Sequence, residues 1–253
     1  MCKLMDSILK IKNLRKKYHT VDGEILAIED ISIDIKKGEF VAVVGSSGCG
    51  KSTLLSILAN LDTKTSGKIE LESDSNIGYM LQQDALFPWL TILDNAILGL
   101  DITKKKTEEN IRYTKKLLEF YGLGDFLDKY PNQLSGGMRQ RVALIRTLAT
   151  RPNILLLDEP FSALDYQTRL AVSDDVYRII KRENKTTIMV THDLAEAISM
   201  ADTIVVLSKR PAIVKNVYKI NLSNRGFPIQ NRRAEEFSSY YEKIWRDLDV
   251  NIA

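Results

Sequence analysis

Four near-continuous apolar runs recur along the chain: Phe40-Val41-Ala42-Val43-Val44, Ile154-Leu155-Leu156-Leu157, Thr187-Ile188-Met189-Val190 and Ile204-Val205-Val206-Leu207. Runs with no polar face predict parallel strands covered on both sides. Residues 8–14 and 25–35 read differently. They predict half-buried strands, with alternation clearest in Ile31-Ser32-Ile33-Asp34-Ile35. Residues 15–24 between them are polar and turn-rich, and Asp22-Gly23 is a hairpin signal, so an antiparallel flap is expected ahead of the first parallel strand. Residues 68–72 and 76–81 predict two further short strands. From Thr91 to Thr150 the pattern is helical. Ile111, Leu117, Leu118 and Tyr121 share one face of a charged helix, and the lysine-rich run within 102–116 predicts a solvated face. The last forty residues are expected to form a separate unit. There Phe237, Tyr240, Tyr241, Ile244, Trp245 and Leu248 fall on one helical stripe, either docked on the core or offered to a partner. The pattern as a whole predicts an α/β core interrupted by a helical insertion, without internal repeats or low-complexity segments.

Composition narrows this picture without changing it. The 253 residues suffice for one large α/β domain, and 44% apolar with 27% charged residues is ordinary for a soluble globular protein. A formal net charge of +3 is too small to argue for nucleic acid. No run of about eighteen apolar residues occurs, so no membrane span is expected, and residues 1–12 do not read as a secretory signal. Cys2 and Cys49 are expected to be free thiols in a reducing cytoplasm.

Chemistry enters with Gly45-Ser46-Ser47-Gly48-Cys49-Gly50-Lys51-Ser52-Thr53, which matches G-x-x-x-x-G-K-[ST] at every specified position. The strand Phe40–Val44 precedes it. Leu54, Leu55, Ile57 and Leu58 follow at helical spacing, so strand, loop and helix are in register. The glycines let backbone amides approach an anion, and the helix N-terminus adds partial positive charge. Lys51 reaches β- and γ-phosphates, and the Ser52 hydroxyl suits Mg²⁺. Cys49 lies inside this loop, so bound nucleotide is expected to shield it from alkylation.

A second constellation follows the strand Ile154–Leu157. Asp158 suits the surroundings of Mg²⁺ and Glu159 is a candidate general base for an attacking water; a solvated turn is the other reading. His192, after the next strand, lies where ligands of open α/β sheets collect and can donate to a γ-phosphate oxygen. His19, in a polar loop, receives no role. The third motif is Leu134-Ser135-Gly136-Gly137-Met138-Arg139-Gln140-Arg141, a glycine-rich turn opening a helix. The Ser135 hydroxyl and the turn amides form either a capped helix or a second anion site. One pocket does not need two such sites, so the second would serve a phosphate held by another subunit.

Together these residues resemble the nucleotide-binding subunit of ATP-binding-cassette transporters over nearly the whole chain. The phosphate loop, Leu134–Gln140, Asp158-Glu159, Ser162-Ala163-Leu164-Asp165 and His192 stand in that family's order and at its separations. Met138 replaces the glutamine of many members. The resemblance implies a P-loop NTPase (RecA-like) parallel-sheet core with an N-terminal antiparallel β subdomain and an inserted α-helical subdomain. The chain would be one cassette, 1–253. Residues 1–87 and 151–210 would form the core and flap, 88–150 the helical signature subdomain, and 211–253 a C-terminal strand and amphipathic helix. It further implies that Tyr18 stacks on adenine, that Gln82 senses Mg²⁺ and the lytic water, and that Asp165 crosses a dimer interface. Each ATP would lie between the phosphate loop of one copy and the Ser135–Gly137 turn of the other.

The stretch Leu81-Gln82-Gln83-Asp84-Ala85-Leu86-Phe87-Pro88-Trp89-Leu90-Thr91, followed by Asp94-Asn95, resembles ATPases of nitrate, sulfonate and taurine importers. Pro88-Trp89 sits where that family builds its groove for a permease coupling helix, although Phe87 and Trp89 could instead plug the helical subdomain. The implied function is Mg²⁺-dependent ATP hydrolysis that powers an importer from the cytoplasmic face of the membrane. Its partners would be integral-membrane permease subunits, a second copy of the chain and, indirectly, an extracytoplasmic solute-binding protein, with no nucleic acid. The rival classes are a soluble cassette ATPase in DNA repair or translation, a small-molecule kinase on the same loop, and an exporter subunit. Sulfonate, nitrate and a thiamine-precursor pyrimidine all fit as transported solutes.

Overall fold

A computed structural model describes residues 7–21 and 23–248; Cys2 and Asp22 lie outside the described residues. The four apolar runs form β3 (Phe40–Val44), β6 (Ile154–Asp158), β7 (Thr186–Thr191) and β8 (Thr203–Leu207). β3 pairs in parallel with both β7 and β8, β7 pairs in parallel with β6, and β6 with β5 (Ile77–Met80). Both faces of this sheet are covered, as uninterrupted apolar runs require. Alternate residues Phe40, Ala42 and Val44 join one apolar cluster, while Val41 and Val43 join another on the opposite face.

The second cluster is closed by α1 (Lys51–Leu58) and by the inner faces of β1 (Ser7–Thr20) and β2 (Gly23–Lys36), which form a long antiparallel hairpin. β4 (Ser66–Leu71) pairs antiparallel with β1 at the far edge. Residues 15–20, expected as part of a polar turn, continue β1 to the tip of the hairpin. Lys16 is buried, but Arg15, Tyr18, His19 and Thr20 are exposed, so polar side chains suit this solvated end of the ribbon.

The first cluster is covered by helices. α2 (Ile92–Ile102), α3 (Glu108–Phe120) and α4 (Gly136–Ala149) fill the segment predicted to be helical, and α5 (Tyr166–Arg182) and α6 (Leu194–Met200) follow β6 and β7. Leu117, Leu118 and Tyr121 are buried and Ile111 is half-buried, which bears out the expected helix face.

The C-terminal segment is less separate than its sequence suggests. β9 (Ala212–Lys219) lies inside the sheet, antiparallel to β8 and parallel to β2, and joins the flap to the parallel strands. Its mixed, largely exposed side chains carry no core signature, because backbone hydrogen bonds rather than apolar burial hold it. After the short α7 (Pro228–Asn231), α8 (Glu236–Asp247) docks Ile244, with Phe237, Tyr240 and Leu248, on the first cluster.

α6 is capped by Asp193, whose carboxylate accepts from the amides of Ala195 (2.8 Å) and Glu196 (3.1 Å). Glu196 itself is buried and accepts from the Thr191 hydroxyl at 2.8 Å. Burial, reinforced by the Asp193 charge, pushes its carboxyl up to about 7 against the pull of Thr191, Arg169 and Arg232. A raised carboxyl stabilises the fold below its unfolded value of 4.5, and that contribution is lost as pH rises through about 7. Urea titrations are therefore expected to show parent stability falling by up to about 1.4 kcal/mol per pH unit between these values from this group. Glu196→Gln is expected to flatten that slope; an unchanged slope would assign the titration elsewhere.

Candidate active site

The register of the parallel strands brings their C-terminal ends level. Val44 lies opposite Thr191, Asp158 opposite Val190, and Met80 opposite Leu157. The chain therefore leaves the sheet at one edge for the Gly45 loop, Glu159, His192 and Gln82. This edge is where ligands of open α/β sheets collect.

The loop after β3 turns through left-handed backbone at Gly48 (φ 72°) and Gly50 (φ 119°). A Cβ on Gly50 would also sit 3.3 Å from the Ala27 carbonyl oxygen of the flap, so only glycine fits. Lys51 opens α1. It is buried, and its Nζ donates to the carbonyls of Gly45 (2.9 Å) and Ser46 (3.0 Å), which centres the ammonium within the loop.

Beside the loop lies an open cleft of about 600 Å³. Ser47, Gly48, Gly50, Lys51, Ser52 and Thr53 line one wall, and Tyr18, His19 and Thr20 of the flap line another. Gln82, Glu159 and Arg210 complete it. Tyr18 is held in place: its hydroxyl donates to Asp62 Oδ2 (2.7 Å), and Lys16 Nζ lies 4.5 Å from the ring centroid. Lys16 in turn donates to Asp62 and to the Thr63 carbonyl. Gly45 and Ser46 line a second pocket, on the side of the loop that faces α8, and Ser47 borders both. The Cys49 thiol is turned inward and only 1% of the residue is exposed. Burial raises the thiol above its ordinary value, so the expectation of a nucleotide-shielded reactive thiol is corrected to an inert buried one.

Ser52 and Asp158 meet directly, with the hydroxyl donating to Oδ1 at 3.1 Å. Tyr79 of β5 donates to Oδ2 at 3.1 Å. Burial pushes the Asp158 carboxyl above the usual range, while these two hydrogen bonds pull it back. The Tyr79 phenol is pushed up to about 12 by burial and by the adjacent carboxylate, so it stays a donor. A hydroxyl facing a buried carboxylate is a hard oxygen pair of the kind that takes Mg²⁺ together with substrate phosphates.

Glu159 adopts left-handed backbone (φ 44°), which costs a non-glycine residue of order 1–3 kcal/mol. Its amide donates to the Val190 carbonyl (2.9 Å), and the Ser162 amide and hydroxyl donate to its carbonyl. Those bonds fix the turn that aims the carboxylate. Gln82 Nε2 donates to Glu159 Oε2 (3.3 Å), and His192 Nδ1 lies 3.1 Å from the same oxygen. Both act on Oε2, so among the described residues Oε1 is free to accept.

Ser135, Gly136, Gly137 and Asp165 do not line this cleft. Ser135 caps α4 by accepting from the Met138 amide (3.3 Å), and Asp165 caps α5 by accepting from the Thr168 amide (3.0 Å). The two turns form one unit: a Cβ on Gly137 would meet Val172 at 2.7 Å, and one on Gly136 would meet Leu164 at 3.2 Å. Sequence reasoning missed Tyr79, Arg210, Lys16 and Asp62. None carries a motif of its own, and only the tertiary structure brings Arg210 to the cleft, Tyr79 to Asp158, and Lys16 and Asp62 to Tyr18.

A separate groove of about 560 Å³ runs between β5 and α2, with Tyr79, Leu81, Phe87, Ile102 and Arg146 among its walls. The buried Asn95 side chain shapes its rim by donating to the carbonyls of Phe87, Leu90 and Thr91 and accepting from the Phe87 amide. Trp89 is 69% exposed and its ring stands 5.1 Å from that of Phe87, so Trp89 does not plug the helical segment.

Comparison with known proteins places this arrangement. The family described as ABC transporter matches residues 28–162. An uncharacterized ABC transporter ATP-binding protein of Bacillus subtilis, YtlC, is 44% identical over 250 residues, covering 96% of each chain. The nitrate import ATP-binding protein NrtD of Synechocystis is 38% identical, covering 93% of each. The aliphatic sulfonates import ATP-binding protein SsuB of Bacillus anthracis is 36% identical, covering 95% of this chain and 96% of that protein. Among solved structures, the dimeric MJ0796 cassette superposes with a TM-score of 0.71 at 35% identity, covering 84% of this chain and 99% of the other. A post-hydrolysis dimer of MJ0796 bound to ADP and Pi matches with a TM-score of 0.69. The chain belongs to the ABC transporter family, as one of its ATP-binding proteins.

Proposed function

We propose that this chain is the ATP-hydrolysing subunit of a membrane importer and works as a pair of copies on the cytoplasmic face of a membrane. The observation that carries this reading is that one cleft is lined by the Lys51–Ser52 loop, Gln82 and Glu159, with Asp158 hydrogen-bonded behind Ser52 and His192 against the Glu159 carboxylate. Relatives named as nitrate and aliphatic sulfonates importers support the transport role and small oxyanions as solutes. They leave the DNA-repair or translation alternative without support. Among the described residues no helix is long and apolar enough to cross a membrane, so the permease is assigned to other chains. The groove beside Phe87 and Trp89 is its proposed dock, with residues 88–150 as the helical subdomain that carries it.

The chemistry follows from the side chains. Adenine stacks on the clamped Tyr18 ring, and the loop amides and Lys51 neutralise the phosphates as charge shifts to the leaving oxygen. Mg²⁺, when bound by Ser52 and Asp158 with Gln82 nearby, supplies further charge neutralisation. Glu159 takes the proton from water attacking the γ-phosphorus through its free Oε1, while Gln82 and His192 hold Oε2. His192 then donates to a γ-phosphate oxygen. The partner's Ser135–Gly137 turn closes the other side, and Asp165 lies at that junction.

Glu159→Gln is expected to keep nucleotide affinity and lower kcat by about 10²–10⁴ in a phosphate-release assay; parental turnover would remove the base assignment. Lys51→Ala is expected to lose ATP affinity by calorimetry, and unchanged affinity would contradict the phosphate-loop reading. Arg210 stands at the cleft mouth on a loop tied by Ser208 to the Pro211 carbonyl and the Ile213 amide. Arg210→Ala is expected to weaken ATP binding roughly tenfold at unchanged kcat; a fall in kcat alone would exclude a binding role.

A further inference from the structure

Away from the nucleotide cleft, a pocket of about 560 Å³ opens where the helical segment meets the core. Phe120 and Tyr121, at the C-terminal end of α3, stand on one side with Arg141 of α4. Arg178, Lys181 and Arg182 of α5 stand on the other, with Phe227 just ahead of α7. None of these residues lines the nucleotide cleft. Among the described residues the lining carries four cations and one carboxylate, Asp175.

The charges are not balanced within the pocket. Asp175 is taken by Arg141, whose Nη1 lies 3.4 Å from its Oδ2 and also donates to the Tyr121 carbonyl at 3.2 Å. Lys181 pairs at 3.3 Å with Asp202, which does not line the pocket. Arg178 and Arg182 remain. They lie one turn apart on the same face of α5, both exposed. Each guanidinium sits over a ring: Arg182 is 3.6 Å from the Phe120 centroid and Arg178 is 4.3 Å from that of Phe227. Neither has an ion-pair partner among the described residues. Stacking occupies the face of a guanidinium and leaves its in-plane N–H groups unpaired, and that edge is the one that grips an oxyanion.

A second observation also points to a ligand. Tyr121 is 9% exposed, and its hydroxyl is buried near the Arg182 guanidinium without a well-formed hydrogen bond. The Arg141 Nε is buried without a partner as well. Buried polar atoms are nearly always satisfied, so two orphaned donors beside one pocket call for an acceptor that the chain itself does not supply. The pocket is of the size that holds a small organic molecule. Its rings leave apolar surface beside the cations, with Phe120 62% and Phe227 38% exposed.

We infer that this pocket binds a small phosphate monoester with a planar or apolar group, the phosphate held by Arg178 and Arg182 and the organic part lying along Phe120 and Phe227. A phosphate monoester carries nearly two charges at neutral pH, which matches two unpaired guanidiniums; a singly charged sulfonate leaves one unmatched. An occupant would brace α3 and α4, and with them the turn at Ser135, against α5.

The test titrates the full chain with phenyl phosphate by calorimetry. One phenyl phosphate per chain is expected to bind in the parent and in Lys51→Ala, while Arg178→Gln and Arg182→Gln each weaken binding roughly tenfold or more at parental ATP affinity. Phe227→Leu is expected to weaken phenyl phosphate but not inorganic phosphate. Benzenesulfonate, which has the ring and one charge, is expected to bind at least about tenfold more weakly. Absence of binding to the parent overturns the inference. So does binding that Lys51→Ala abolishes and both arginine variants keep, because the anion then sits in the phosphate loop. Benzenesulfonate binding as tightly as phenyl phosphate overturns the choice of a dianion, and inorganic phosphate binding as tightly overturns the organic half of the ligand.

Discussion

The parallel ladder through β5, β6, β7 and β3 fixes where every group in the cleft can stand. Pairing of Met80 with Leu157, Asp158 with Val190, and Val44 with Thr191 leaves no freedom in the height at which each strand ends. A slip of one residue would turn every side chain to the opposite face and part the clusters that cover the sheet. The covering of both faces thus protects the register, and the register places Gln82, Glu159, His192 and the Lys51 loop along one edge. The two apolar clusters stabilise the sheet and also set the geometry of the site.

Burial then determines the electrostatics. Asp158 and Lys51 are buried near one another, and each is held by named hydrogen bonds. Such groups are costly unless satisfied, and they are stiff once satisfied. Tyr79 donates to Oδ2 of Asp158 and Ser52 to Oδ1. Glu159 is handled differently: a strained backbone turn, tied by its own amide and by Ser162, aims the carboxylate. The strain is local, and the hydrogen bonds of the turn offset it.

The arrangement is also incomplete in one chain, on the reading proposed above. The cleft carries the phosphate loop and the carboxylates, while the Ser135–Gly137 turn and Asp165 face away on a body braced by α4 and α5. A pair of chains completes both sites at once, and hydrolysis can then be coupled to opening of the pair. α8 and Leu248 stand across a pocket from the Gly45–Ser47 loop.

Much of this was legible in the chain itself. The phosphate loop, Asp158-Glu159, His192 and the Ser135 turn are contiguous residues whose chemistry depends on local spacing, so the sequence announces them. The four buried strands were equally plain, because a strand covered on both faces must be apolar throughout. Other features were not plain. Residues 15–20 look like a turn because a solvated hairpin tolerates polar side chains. β9, expected as a C-terminal strand only through the family resemblance, has no core pattern of its own because backbone hydrogen bonds hold it in the sheet. Arg210 reaches the cleft wall, while Tyr79 stands behind Asp158 and Lys16 and Asp62 behind Tyr18, and no local pattern marks a residue whose role is to stand beside another. The sequence by itself determined which chemical groups this protein carries and in what order, since bonding along the chain sets those. The tertiary structure alone decided which of them meet, because strand register and packing across the sheet are long-range choices that no short stretch records.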